Sequence, residues 1–210
     1  MTLSISVALL HDQARNDPEG HDRHRRAFAR LSRALRAENI RWEEPDTTAL
    51  AVAHTFSGGI PYGYLTCLRR VFVLVGRGGP VSPAPRPDTE AWHRDLAAID
   101  DETSLLASHL LCHADDAGYY IPVDFPDPLF LPPEAEVAGA GMVGSSQRLL
   151  AELSSMAPWL GTPASAESPG DDPVAPERSA WHQLRQACRA SILGGHAIVF
   201  HRVGASFRRC

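Results

Sequence analysis

A chain of 210 residues, 44% hydrophobic and 21% charged, has enough apolar material for one domain with its own core, so folding needs neither a metal nor a disulfide. The formal charge of −5 argues against a dedicated nucleic-acid binder, whose domain is usually strongly basic. Met1–Leu10 lacks the basic start and small-residue cleavage site of a secretory leader, and no apolar run approaches the ~18 residues of a membrane span; the expected location is the cytoplasm.

All twenty basic residues are Arg and none is Lys. Codon bias in a GC-rich genome accounts for that, and for the abundant Ala, Gly and Pro. Cys67, Cys112, Cys188 and Cys210 lie far apart with no CxxC pair, so they read as reduced thiols, the first three buried and the last exposed.

In chain order, Leu3, Ile5, Val7 and Leu9 alternate with small or polar residues, as in a half-buried strand. Asn16–Gly20 is a turn. A helix is predicted over His21–Glu38, with His24, Phe28, Leu31 and Leu35 on one stripe and Arg23, Arg26, Arg30 and Arg33 opposite. An extended piece around Ile40–Trp42 follows. Ser57, Gly58 and Gly59 before Pro61 read as the start of a second helix to about Val75, with Leu65, Leu68, Phe72 and Val75 on one face. The β-branched VFVLV end leaves a strand there as the alternative.

Residues 76–88 form a proline-rich connector, expected to be mobile. A third helical region is predicted from Asp88 or Thr89 to about His113, carried by Trp92, Leu96, Ile99, Thr103, Leu106 and Leu110, with a break at Asp100-Asp101. Tyr119–Val123 and Leu129–Leu131 read as extended. A fourth helix begins at Ser145 and runs to about Ala157. Residues 161–176 are a second loop expected to be mobile. A fifth helix opens at Pro176 and closes at Gly194-Gly195, and Ala197–Val203 is a last strand. The predicted architecture is α+β: a single domain over residues 1–210, with a small central sheet that includes the N- and C-terminal strands and about five helices packed on it.

The densest chemistry is His109–Phe130, HLLCHADDAGYYIPVDFPDPLF, with two His, one Cys, four Asp and two adjacent Tyr in 22 residues. Such groups must satisfy one another or face a ligand, because burying them unpaired costs a few kcal/mol each. His109 and His113, four apart on the predicted helix, could hold a divalent ion with Asp115 or Asp116; equally they could be helix histidines bonded to backbone. The glutamate of an HExxH motif is absent, since Leu110 stands in its place. Asp115, Asp116, Asp124 and Asp127 fit no calcium loop. They could form turns or face a basic partner, with Tyr119 and Tyr120 adding apolar area.

Gly139–Gly144 is a literal GxGxxG, but Pro132 and Pro133 break the strand that should precede it, so no nucleotide fold is implied. Gly144, Ser145 and Ser146 at a helix start are an anion-binding candidate, or simply a cap. Arg69 and Arg70 interrupt an apolar run and call for acidic partners. No cofactor is implied.

The segments LLCHADDAGYYIPVDFPD, GMVGSSQRLLAEL and GGHAIVFH resemble a group of bacterial cytoplasmic proteins with no assigned activity. The resemblance spans the second half of the chain and implies no catalytic residue. In general character the chain also resembles toxin-neutralising immunity proteins. Two functions are therefore in competition. One is a non-catalytic protein-binding protein, of immunity type, whose contact surface is Asp115, Asp116, Tyr119, Tyr120 and Asp124, with Arg69 and Arg70 beside it. The other is an enzyme or a small-molecule or metal binder with a pocket of His109, His113, Asp115, Tyr120 and Asp124, together with Arg69 or Arg70, in which a His or Asp acts as general base.

Overall fold

The computed structural model describes residues 2–46, 54–114, 117–137, 141–161 and 172–202. Among the described residues five strands, β1 (Thr2–Val7), β2 (Phe56–Pro61), β3 (Ala117–Ile121), β4 (Val143–Ser145) and β5 (Ile198–Arg202), form one sheet in the order β2-β1-β5-β3-β4. Neighbours are antiparallel except β3 and β4, which are parallel. The first and last strands pair directly, Ile5 opposite Phe200 and Val7 opposite Ile198. The helices among the described residues are α1 (Leu9–Asn16), α2 (Pro18–Ala37), α3 (Tyr64–Gly76), α4 (Glu90–Thr103), α5 (Ser146–Ser155), α6 (Ala157–Leu160) and α7 (Ala175–Gly194). This is the predicted α+β class.

Strand alternation builds two cores, because successive side chains leave a strand on opposite faces. Leu3, Ile5 and Val7 of β1, Tyr120 of β3 and Phe200 of β5 meet Leu65 and Leu68 of α3, Leu149 and Leu153 of α5, and Trp181 and Leu184 of α7. On the other face Tyr119, Ile121, Val143 and Val199 meet Leu9 and Leu10 of α1 and Phe28, Leu31 and Leu35 of α2. The polar side of β1 lies under that second layer, where Ser6 is buried. Outside α3 sits α4, which buries only Ile99, against Val73 and Leu111.

Local chemistry sets the boundaries. Asp17 caps α2 by accepting from the Gly20 N–H at 2.9 Å, with Pro18 as the first helical residue. Gly195, at φ 76°, closes α7 and returns its N–H to the Ser191 carbonyl at 2.8 Å.

Three expectations are corrected. Ser57-Gly58-Gly59 is part of β2 and not a helix start; paired to β1, Gly59 would bring a Cβ within 3.0 Å of Thr2 and 3.1 Å of the Leu3 carbonyl. Leu9 does not extend β1, since the chain turns at Ala8 (φ 61°) into α1. The third helix ends at Thr103, and residues 104–114 are irregular, so His109 and His113 are not stacked on one helical face. Gly76 ends α3, and residues 77–88 run without helix or strand, with Ser82 bound to Arg70. Most of the second predicted loop (162–171), Asp115, Asp116 and Gly139 lie outside the described residues.

Gly144 shows how tightly the sheet edge is packed: a Cβ there would lie 2.3 Å from the Tyr120 ring. Gly144→Ala is expected to lower the unfolding free energy by about 2 kcal/mol or more, seen as a lower urea midpoint at unchanged slope.

Candidate binding surface

Within the irregular segment after α4, His109–Leu111 and His113 are buried, so their backbone groups need partners other than water. Three elements supply them. Arg69 of α3 donates from Nε to the Leu110 carbonyl at 3.1 Å, and from Nη2 to the His113 carbonyl. The Glu152 carboxylate of α5 accepts the His109 and Leu110 N–H groups, both at 2.8 Å. Tyr120 of β3 donates its hydroxyl to the His109 carbonyl at 2.8 Å. The His109 ring is bound at both nitrogens: Nδ1 accepts from Ser145 N–H at 3.0 Å, and Nε2 donates to the Pro126 carbonyl at 3.1 Å. His113 donates from Nδ1 to the Ala114 carbonyl at 2.7 Å and stacks on Tyr120 with centroids 4.3 Å apart.

These contacts correct the sequence reading. Tyr119 and Tyr120 are buried and face opposite sides of the sheet, so neither adds area to an outer surface. His109 and His113 are buried separately and offer no shared ligand pair. Burial pushes His109 down, and pushes His113 down to about 3, so both are neutral at pH 7. Among the described residues no group of three or more His, Cys, Asp or Glu is placed to hold a metal.

The remaining candidates are also engaged. Arg70 is buried; it pairs with Asp95 and donates to the Ser82 carbonyl at 2.7 Å and the Ser82 hydroxyl at 2.8 Å. The Gly144–Ser146 helix start is closed to an anion. The Ser145 hydroxyl caps α5 by accepting from the Arg148 N–H at 3.2 Å, and Ser146 bonds Ser191 at 2.8 Å. Both serines are fully buried.

Of the predicted contact residues, Asp124 is on the surface, held by Arg148 at 2.6 Å. It belongs to a larger feature that the motif search passed over. Between Arg94 and Arg148 the chain carries ten Asp and Glu and no Arg or Lys, while the rest carries all twenty arginines against fifteen acidic residues. Within this run Asp100 and Asp101 on α4, then Asp124, Asp127, Glu134 and Glu136 after β3, are all exposed. Asp100, Asp101, Asp127 and Glu134 have no ion pair among the described residues. Helix α2 exposes Arg23, Arg25, Arg26, Arg30, Arg33 and Arg36, and Arg30 pairs with Glu136 at 3.6 Å. The signal that would have found this surface was the missing arginine, not the local density of polar groups.

Fold and surface together define an α+β protein whose charge is segregated along its sequence and whose residue 109–113 polar cluster is bound largely to its own backbone and side chains. A family model described as "Putative DNA-mimic protein" matches residues 1–200, and the chain belongs to that family. No curated protein and no solved structure matches it. No helix among the described residues is long and apolar enough to cross a membrane.

Glu152 gives a pH test of the buried cluster. Burial lifts its carboxyl from 4.5 to about 7, against the pull of the His109 and Leu110 N–H groups and the Ser108 hydroxyl. Between those values the folded chain keeps a proton that the unfolded chain has lost. The stability due to this group is therefore full below pH 4.5, falls as pH rises to about 7, and is level above. The stability difference between wild type and Glu152→Gln is expected to shrink across that window in urea unfolding. A difference that stays constant with pH would refute the raised carboxyl.

Proposed function

We propose that this protein is a non-catalytic binding protein that occupies the DNA-contacting surface of a DNA-binding protein, with its acidic side standing in for the phosphate backbone. The observation that carries this is the run from Asp95 to Gln147, which has ten carboxylates and no Arg or Lys. Duplex DNA presents one negative charge per ~1.7 Å of axis, and proteins read that charge with Arg and Lys. A rigid surface of exposed carboxylates offers the same sign and lets a basic face dock on protein instead. Family membership supports this reading. The contact surface comprises Asp100 and Asp101 of α4 and Asp124, Asp127, Glu134 and Glu136; Asp115 and Asp116 belong to the same run of sequence.

An immunity-type role is the special case in which the partner is a toxic nuclease. The protein then acts in the cytoplasm, where DNA-binding proteins reside, and the free thiols of Cys67, Cys112 and Cys188 suit that compartment. The competing pocket of His109 and His113 draws no support, because the His109 ring and both tyrosines are taken up by the core.

The test immobilises the full chain, passes native lysate over it, and elutes with duplex DNA of about 30 base pairs, roughly three helical turns. Eluted proteins are expected to shift labelled duplex, and the free chain should lift them off it. Asp100→Asn/Asp101→Asn/Asp127→Asn/Glu134→Gln should weaken that displacement by about tenfold or more and flatten its salt dependence. Arg23→Gln/Arg26→Gln should not. The reading fails if duplex elutes nothing, or if the chain itself binds duplex.

A further inference from the structure

A carboxylate surface by itself gives steering and salt-dependent contact, but little specific affinity, because exposed ion pairs are worth about 0–1 kcal/mol each. Specific interfaces add a few apolar anchors that lose their water. The large hydrophobic side chains exposed among the described residues are Tyr62, Leu105, Leu106, Phe130, Trp159 and Leu193. Only Leu105 and Leu106 are adjacent, at 69% and 51% exposure.

These two leucines directly follow the acidic end of α4, Asp100-Asp101-Glu102. Their backbone is fixed by the turn that stops the helix. The Leu105 N–H bonds the Glu102 carbonyl at 3.3 Å, the Leu106 N–H bonds the Thr103 carbonyl at 3.0 Å, and the Ser104 hydroxyl bonds the Asp101 carbonyl at 2.6 Å. Leu106 sits at φ 55°, a region leucine seldom adopts. The helix behind them buries only Ile99, so its outer side is unpartnered.

We propose that Leu105 and Leu106 are the apolar anchor of the acidic surface, seated in a notch between basic residues on the partner's DNA-contacting face. This inference rests on the DNA-mimic reading and adds the contact point. Charge complementarity selects the occupant: Asp100 and Asp101, just before the leucines, are exposed and have no ion pair among the described residues, while the neighbouring Arg77 is already bound to Glu102 at 3.1 Å. DNA-binding faces also carry apolar contacts for thymine methyl groups. Leucine methyls of similar size fit such places, where a carboxylate would not.

The test places the photo-crosslinking residue p-benzoylphenylalanine, one position at a time, at Leu105, Phe130, Trp159 and Arg26 of the full chain in the producing cells. Position 105 is expected to give an adduct with another protein, and positions 159 and 26 none. Excess duplex of about 30 base pairs should suppress the adduct in lysate, as expected of a DNA-contacting face of roughly three helical turns or less. Leu106→Asn, chosen because Asn tolerates positive φ, should cut the yield by about 30-fold at unchanged melting temperature. A duplex-sensitive adduct at Phe130 but not at Leu105 would keep the DNA-mimic reading and overturn the anchor. An adduct at Leu105 that duplex leaves intact, a crosslink to a second copy of this chain, or no adduct at any position would overturn the anchor as well. Should Leu106→Asn fail to fold, Leu105→Gln carries the same expectation.

Discussion

Two ionisable side chains that do not pair with each other, an arginine and a glutamate, hold the structure's critical segment. Arg69 reaches from α3 to carbonyls of residues 110 and 113, and Glu152 reaches from α5 to N–H groups of residues 109 and 110. A buried irregular stretch must otherwise leave backbone dipoles unpaired, at about 1–3 kcal/mol each. One guanidinium and one carboxyl group thus take over the role a regular hydrogen-bond ladder would have played. Removing either would leave bare carbonyls or bare N–H groups between α3, α5 and the sheet.

That segment joins the two exposed acidic stretches of the chain. It leads out of α4, whose Asp100 and Asp101 are exposed, and into β3, whose exit carries Asp124 and Asp127. Like charges carried by neighbouring segments repel, and the repulsion favours loosening those segments. The interior links oppose it. Arg70 fastens α4 through Asp95, and the His109 ring ties Pro126 to Ser145. At the far edge Leu129 and Val143 exchange both backbone hydrogen bonds, at 3.0 and 2.8 Å. The carboxylates therefore stand on a fixed frame, as a surface must if it is to match the rigid spacing of phosphates.

Much of this frame was legible in sequence because periodicity reports burial directly. The alternation Leu3, Ile5, Val7 gave β1, and the stripe Phe28, Leu31, Leu35 gave α2. Ser145 and Gly195 marked the ends of α5 and α7 by their capping chemistry. Where two signals overlapped, the reading failed. Leu106 and Leu110 kept helical spacing past Thr103, but Leu106 turns outward and Leu110 inward, so the spacing was coincidental. Gly58-Gly59 beside a proline carries no side-chain pattern from which pairing with β1 could be inferred. Of the site, the richness of His109–Phe130 was visible, but whether polar groups face each other or face outward is decided by tertiary contacts. Tyr120 and His113 stack because Gly118 leaves room: a Cβ there would lie 2.5 Å from His113 Nε2.

The burial that removed the histidines and tyrosines from the surface also sets the sign of what remains. His109 and His113 are the only other groups in the Asp95–Gln147 run that could carry positive charge near neutral pH. His109 accepts from the Ser145 N–H at Nδ1, so a proton there would set two donors against each other. His113, pushed down to about 3 by burial, stays neutral until well into acid. No cation within the run can therefore offset its carboxylates at physiological pH. A surface histidine at either position would have made the negative field of that side pH-dependent; locked in the core, the two rings leave it constant across the range in which DNA itself keeps its charge.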